Sequence, residues 1–157
     1  MRLAESCVIS APPPTVWGFI SDLDNYLEFM SGITRWDLEG EETSGIGARR
    51  RMLIEVGSAQ VGGLIEIVEW DEPNDLAWSS VTGVDQRGRL RLRPVGTAST
   101  RVEMRFQYGV AGAGLTGWLS ERVSAPTIRS HLRVSLRQLK GRVENTPVAE
   151  RGFSASR

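Results

Sequence analysis

The chain has 157 residues, of which 40% are hydrophobic and 24% are charged, a composition typical of one globular domain. Its 19 basic and 19 acidic residues cancel, which argues against a general nucleic-acid binder, because such proteins carry an excess of cationic side chains. One cysteine and one histidine exclude an internal disulfide, a cysteine-cluster metal site and any two-histidine metal motif. Without a signal-peptide pattern or a long apolar run, we expect a cytoplasmic protein with no stable membrane insertion.

The beginning of the chain predicts a strand followed by two short helices. Residues 2–10 alternate weakly, and the prolines at 12–14 end the strand because they cannot donate to its ladder. Apolar residues at helical spacing predict one helix over Thr15–Ser21 and a second over Leu23–Met30. We interpret Asp22 and Asp24 as caps between the two helices.

Between residues 33 and about 110 the hydrophobic period changes to two, which predicts six antiparallel strands. The clearest pattern lies in the last two strands, where arginines at 87, 89, 91 and 93 alternate with small or apolar residues. This pattern predicts a hairpin with one wet face and one apolar face. A solvated outer face is the simplest interpretation of the arginine row, and binding of an acidic partner or a lipid headgroup is the alternative. The four earlier strands are predicted over Ile33–Glu39, Ile46–Val56, Val61–Glu69 and Leu76–Ser80.

The last part of the chain predicts a long amphipathic helix from Leu115 to about Glu144. Pro126 lies inside this helix and is expected to kink it or to divide it in two. The polar, unpatterned residues 145–157 predict a flexible tail. With no internal repeat, residues 1–144 are expected to form a single domain.

A family resemblance is carried by short pieces whose order matters more than any one of them. They are Ile9-Ser10-Ala11-Pro12, Val16-Trp17, Ile20-Ser21-Asp22, Tyr26, Phe29, Gly45-Ile46-Gly47, Ile67-Val68-Glu69-Trp70, Pro73, Leu136, Leu139-Lys140 and Glu144. As an ordered set over residues 2–144 they resemble the START-like (SRPBCC) superfamily, and within it the bacterial polyketide cyclase/dehydrase and lipid transport group. The resemblance implies an α+β helix-grip fold, in which a curved antiparallel sheet of about seven strands wraps around the long helix and encloses an apolar cavity.

The apolar faces of the strands and of the long helix are the expected walls of that cavity. The alternative is that these side chains simply fill a core. A dry void of about 300 Å³ would cost about 7 kcal/mol, so an open cavity should hold water or an apolar ligand. The expected ligand contacts are Met52, Ile54, Ile65, Ile67, Trp78, Ser80, Leu90, Leu92, Met104, Phe106 and Tyr108 from the sheet, with Trp118, Ile128 and Leu132 from the helix.

Arg50 is the one arginine predicted on the apolar face of a strand, between Ala48 and Met52. A buried, unpaired charge is costly, so such a residue needs a partner. It either faces the pocket and pairs with an anionic ligand group, or pairs with an acid of the chain, or returns to solvent through a bulge.

Candidates for catalysis are few. Histidine is the residue type best suited to proton transfer at physiological pH, and His131 is the only one in the chain. It lies about 60° from Ile128 on the helical wheel, at the edge of the apolar stripe, where a helix-flank role is the simpler interpretation. Tyr108 and Arg50 are the other candidates, and an enzyme needs a positioned acid or base. The sequence therefore favours a binder or carrier of a hydrophobic small molecule, as a monomer or homodimer without cofactor or metal. The alternatives are a metal-free polyketide aromatase/cyclase or dehydratase, and an interaction module.

Overall fold

Seven strands form one antiparallel sheet in the computed structural model, which describes residues 2–109 and 121–145. Their order across the sheet places the first and second strands at the two edges. Each of the later strands pairs with the one that follows it in sequence, and the first strand pairs with the last. The strands are β1 (Arg2–Ile9), β2 (Ile33–Glu39), β3 (Arg49–Val56), β4 (Ala59–Asp71), β5 (Asp75–Ser80), β6 (Gln86–Val95) and β7 (Ser99–Tyr108), in the spatial order β1-β7-β6-β5-β4-β3-β2.

Three helices accompany the sheet: α1 (Pro13–Ile20), α2 (Tyr26–Phe29) and α3 (Glu121–Asn145). The second predicted helix needs correction, because a 3-10 turn over Leu23–Asn25 precedes the four-residue α2. Asp22 closes that turn by accepting a hydrogen bond from the Asp24 backbone N–H at 3.1 Å, so Asp22 is a cap as predicted. No helix within the described ranges combines the length and the apolarity that crossing a bilayer requires.

The long helix α3 runs unbroken through Pro126, so the proline does not divide it. Its apolar stripe is buried against the inner face of the sheet at helical spacing, as predicted. The part of the predicted helix before Glu121, and the predicted tail after Asn145, lie outside the described residues. The buried stripe consists of Ile128, Leu132, Leu136, Leu139 and Val143.

The hairpin of β6 and β7 shows the predicted alternation. Leu90 and Leu92 are fully buried on the inner face, whereas Arg89 and Arg91 lie partly exposed on the outer face. On β7, Met104 is buried on the same inner face. One face of the sheet is therefore core and the other is charged surface.

The third strand begins three residues later than predicted. Ile46, expected on its apolar face, is 67% exposed. Gly45 and Gly47 adopt φ values of +80° and +92°, which turn the chain before the strand starts at Arg49. The alternation of apolar and polar side chains does not reveal such a turn, because the turn depends on backbone dihedral angles.

Polar contacts attach the end of α3 to the edge strand β1. Lys140, the only lysine of the chain, donates to the Val8 carbonyl at 2.6 Å and pairs with Glu144 at 2.8 Å. Glu144 also accepts from the Ser10 N–H at 2.8 Å. The bond from Lys140, followed by that from Ser10, lowers the pKa of the Glu144 carboxyl.

We expect Leu139→Ala to lower the free energy of unfolding by about 2–5 kcal/mol, because it removes a fully buried contact of α3 and leaves a cavity. Urea denaturation measures the loss. The control is Leu27→Ala, whose side chain is 54% exposed and whose truncation should change stability by about 0.5 kcal/mol or less. Equal effects of the two substitutions would contradict the packing of α3 on the sheet.

Candidate ligand-binding site

A small cavity lies between the sheet, α2 and α3. Its volume is about 20 Å³, enough for about one water molecule. The expectation of an open pocket of ligand size is therefore corrected, since side chains fill nearly all of the space. The lining residues are Tyr26, Met30, Ser31, Ile33, Trp36, Met52, Ile54, Trp78, Phe106, Ile128, His131, Leu132 and Ser135.

Aromatic rings explain why the cavity is so small. The ring of Tyr26 stacks on Trp36 with centroids 5.2 Å apart and planes within 1°. It also meets Trp78 edge-on, at 6.4 Å and 84°. Tyr26 comes from the short α2, and the three rings together occupy the space between the sheet and the helix.

Tyr26 and Trp36 line the cavity, although the sequence pattern does not predict them as site residues. β2 does not alternate, because its pairing with β3 shifts register between Ile33 and Arg35. Trp36 is consequently the one buried position of that strand, and its indole N–H donates to the Leu23 carbonyl at 2.8 Å. One feature of the sequence does point to it, a single tryptophan in a largely polar strand, because so large an apolar side chain is typically buried.

Two buried donors at the cavity lack a hydrogen-bond partner within the described part of the protein. They are the hydroxyl of Tyr26 and the indole N–H of Trp78. Burial raises the pKa of the Tyr26 phenol far above its ordinary value, so the group stays protonated and acts as a donor. Buried polar groups are normally paired, and each orphan costs about 1–3 kcal/mol. The cavity therefore offers two N–H or O–H groups to an acceptor atom.

His131 lies at the cavity, but both of its ring nitrogens are engaged. Nε2 is 2.9 Å from the Glu55 carbonyl oxygen, which only accepts, so Nε2 carries the proton. In the neutral ring Nδ1 then accepts from the Ser31 hydroxyl at 3.0 Å. The histidine thus ties α3 to β3 and to the turn after α2, and its ring leaves no free nitrogen for a ligand.

The turn after α2 is shaped to receive the histidine ring. Gly32 has φ +83°, and a Cβ at this position would lie 2.6 Å from atoms of the His131 ring. The neighbouring Ser31 N–H donates to the hydroxyl of the buried Ser135 at 2.8 Å. These contacts hold the short α2, and with it Tyr26, against α3.

Arg50 is buried at 3% exposure on the inward side of β3 and does not line the cavity. Its guanidinium donates to the carbonyls of Arg49 at 3.0 Å and Thr43 at 2.9 Å. Asp24, which the sequence analysis interpreted as a cap, approaches it at 3.7 Å instead. Burial lowers the pKa of Arg50, and Asp24 and then Asp22 oppose this effect. The observed partners are thus groups of the chain itself, one of the two alternatives to a ligand contact.

The other predicted contacts divide into three groups. Those that line the cavity are Met52, Ile54, Trp78, Phe106, Ile128 and Leu132. Those buried in the core but outside the cavity lining are Ile65, Ile67, Leu90, Leu92, Met104 and Tyr108. The Ser80 hydroxyl accepts a hydrogen bond from the Gln86 N–H at the start of β6, at 3.2 Å. Trp118 lies outside the described residues.

No group of three or more histidine, cysteine, aspartate or glutamate side chains within residues 2–109 and 121–145 is placed to hold a metal ion.

Comparison with known proteins identifies the family. The sequence model of the polyketide cyclase/dehydrase and lipid transport family matches residues 1–144, and the chain belongs to this family. No curated protein sequence matches the chain significantly.

Solved structures share the fold. TTHA0849 from Thermus thermophilus superposes with a TM-score of 0.77 at 22% identity, covering 100% of both chains. The Zhui aromatase/cyclase from Streptomyces sp. R1128 gives 0.70 at 15% identity, covering 92% of this chain and 93% of its own. A START superfamily protein from Mycobacterium smegmatis gives 0.68 at 18% identity, covering 91% and 97%. The predicted START-like helix-grip fold is thereby confirmed.

We expect Gly32→Ala to destabilise the protein by about 1–3 kcal/mol more than Gly40→Ala, because only the first drives a methyl group into the His131 ring. The two glycines have matching φ values of +83° and +84°, and a Cβ at Gly40 meets nothing within 4 Å. The difference between the two variants therefore isolates the contact with the histidine. Thermal or urea unfolding measures it, and equal losses would contradict the packing of His131 on the turn.

Proposed function

We propose that this member of the polyketide cyclase/dehydrase and lipid transport family binds a hydrophobic small molecule between the sheet and α3. The family assignment and the helix-grip fold support binding of this general kind. Among the related structures, one is named as an aromatase/cyclase and another as a START superfamily protein. The cavity in this chain has walls of aromatic and aliphatic side chains, which favour an apolar ligand.

The observation that carries the proposal is the pair of unpartnered donors, the Tyr26 hydroxyl and the Trp78 indole N–H. In an otherwise apolar site, a ligand oxygen that accepts from either group removes its desolvation cost. A ketone or related carbonyl on a flat apolar body supplies such an oxygen. Among lipid, polyketide and isoprenoid-like molecules, these donors favour the polyketide-like class.

Binding requires the cavity to open, because about 20 Å³ does not hold an organic molecule. The short α2 with the Ser31-Gly32 turn is the element best placed to move. It is held to α3 by the hydrogen bonds of Ser31 to His131 and Ser135, which can break in water at little net cost. A shift of α2 would part the ring of Tyr26 from those of Trp36 and Trp78 and open ligand space beside the two unpartnered donors. Burying about 300 Å² of ligand would yield about 7.5 kcal/mol before association costs, consistent with micromolar affinity.

Binding is favoured over catalysis by the state of the titratable groups. A cyclase or dehydratase needs a group that exchanges a proton with the ligand. Both ring nitrogens of His131 are engaged in the closed form, and opening frees only Nδ1, while Nε2 stays bonded to the Glu55 carbonyl of β3. The phenol of Tyr26 is held in its protonated form. The guanidinium of Arg50 binds carbonyls of the chain.

We expect Tyr26→Phe to reduce the preference for a carbonyl ligand about tenfold, because one hydrogen bond to the ligand is lost. The probes are 2-acetylnaphthalene and 2-ethylnaphthalene, which differ in the carbonyl oxygen. Calorimetry or fluorescence titration gives the ratio of their affinities. Trp78→Phe should lower the same ratio, whereas Trp70→Phe should leave it unchanged, since Trp70 packs on Trp17 outside the cavity lining.

The stability of the ligand-free protein is a second measurement, on which Tyr26→Phe should have no adverse effect. Tyr26→Phe removes an unpartnered buried hydroxyl, so the free energy of unfolding should stay the same or rise by up to about 2 kcal/mol. An unchanged affinity ratio in both cavity variants, or a large loss of stability in Tyr26→Phe, would contradict the assignment of these donors to a ligand.

A further inference from the structure

We propose that the outer face of the sheet carries a second site, which binds a soluble small molecule through a phosphate group. An open groove of about 940 Å³ runs across this face, on the opposite side of the sheet from the ligand cavity. It crosses strands β1, β7, β6, β5 and β4.

Small side chains create the groove. Strand pairing places Ala77 next to Arg89, Arg89 opposite Arg105, and Arg105 opposite Ala4, so two alanines flank two arginines in one row across the sheet. Ser79 continues the floor along β5. The long arginine side chains therefore stand above a low floor, which gives a depression on this face.

Two of the arginines at the groove have no ion-pair partner among the described residues. Arg89 pairs with Glu69 at 2.5 Å, and Arg105 pairs with Glu103. Arg2 and Arg87 also line the groove and are exposed, yet neither of them forms an ion pair within the described part of the chain. The four arginines exceed the two glutamates of the groove by two positive charges.

The two unpaired arginines face each other across one residue. Arg87 pairs in register with Gln107, and Gln107 pairs with Arg2, so the three lie side by side on β6, β7 and β1. The strands that carry them, β1 and β6, are two strand spacings apart, about 10 Å. This distance lets the two long side chains converge above Gln107. A phosphate there would accept from two guanidinium forks and from the Gln107 amide.

The remaining charges select a compact anion over an extended acidic chain. Glu69 and Glu103 lie at the same groove and would repel further negative charge. The floor between them is Ala4, Ala77 and Ser79, which suits an uncharged body. The ligand is therefore a phosphate monoester with an otherwise neutral, partly apolar body, and not a polyanion.

Titration of the full chain with phenyl phosphate tests the site. NMR should show saturable shifts at Arg87, Gln107 and Arg2, with binding that weakens as salt is raised. Arg87→Gln should weaken binding about tenfold. The control Arg101→Gln removes another exposed outer-face arginine of β7 that does not line the groove, and should leave the affinity unchanged.

Equal losses in the two variants, or shifts that do not saturate, would overturn the site. Vesicles containing phosphatidic acid separate a lipid headgroup from a soluble ligand, and binding of vesicles without binding of phenyl phosphate would also overturn it. The affinity of 2-acetylnaphthalene in Arg87→Gln should equal that of the wild type. This measurement distinguishes an error in the proposed phosphate site on the outer face from an error in the proposed ligand site in the inner cavity.

Discussion

Burial of the inner face of the sheet under α3 is the constraint on which the other features depend. A single helix supplies the stripe from Ile128 to Val143, and this helix packs mainly on β1 and also contacts β7 and β3. Where the stripe and the sheet do not meet closely, α1, α2 and the aromatic rings they carry fill the gap. The small cavity is the space that this packing leaves unfilled, and its volume depends on where α2 places Tyr26.

Polar contacts fix the position of the helix along the sheet. Lys140 and Glu144 attach its end to β1, and His131 and Ser135 attach its middle to the turn after α2. Apolar contacts alone are non-directional and would permit sliding. The bonds of His131 and Ser135 to the turn after α2 also close the cavity, so the proposed opening would break contacts that stabilise the fold.

Much of the fold was predictable because its elements have regular periods. On β6 the residues that alternate with the arginine row are buried, on α3 the apolar stripe is buried, and the structure confirms both patterns. The site was less predictable, since it is made by irregular features. A register shift in β2 turns Trp36 inward, a 3-10 turn positions Tyr26, and positive φ values shape the turn at Gly45-Ile46-Gly47. The engagement of Arg50 by the Thr43 carbonyl depends on the path of a loop, which periodicity does not encode.

The NMR signal of the Trp78 indole N–H during titration with 2-acetylnaphthalene tests the proposed carbonyl-binding site most directly. The Trp36 indole N–H provides an internal reference, because it already donates to the Leu23 carbonyl. We expect a saturable downfield shift of the Trp78 proton as it gains an acceptor, with a smaller change at Trp36. A saturating titration in which the Trp78 proton stays in place, or the absence of any saturable change, would contradict a carbonyl-binding site between the sheet and α3.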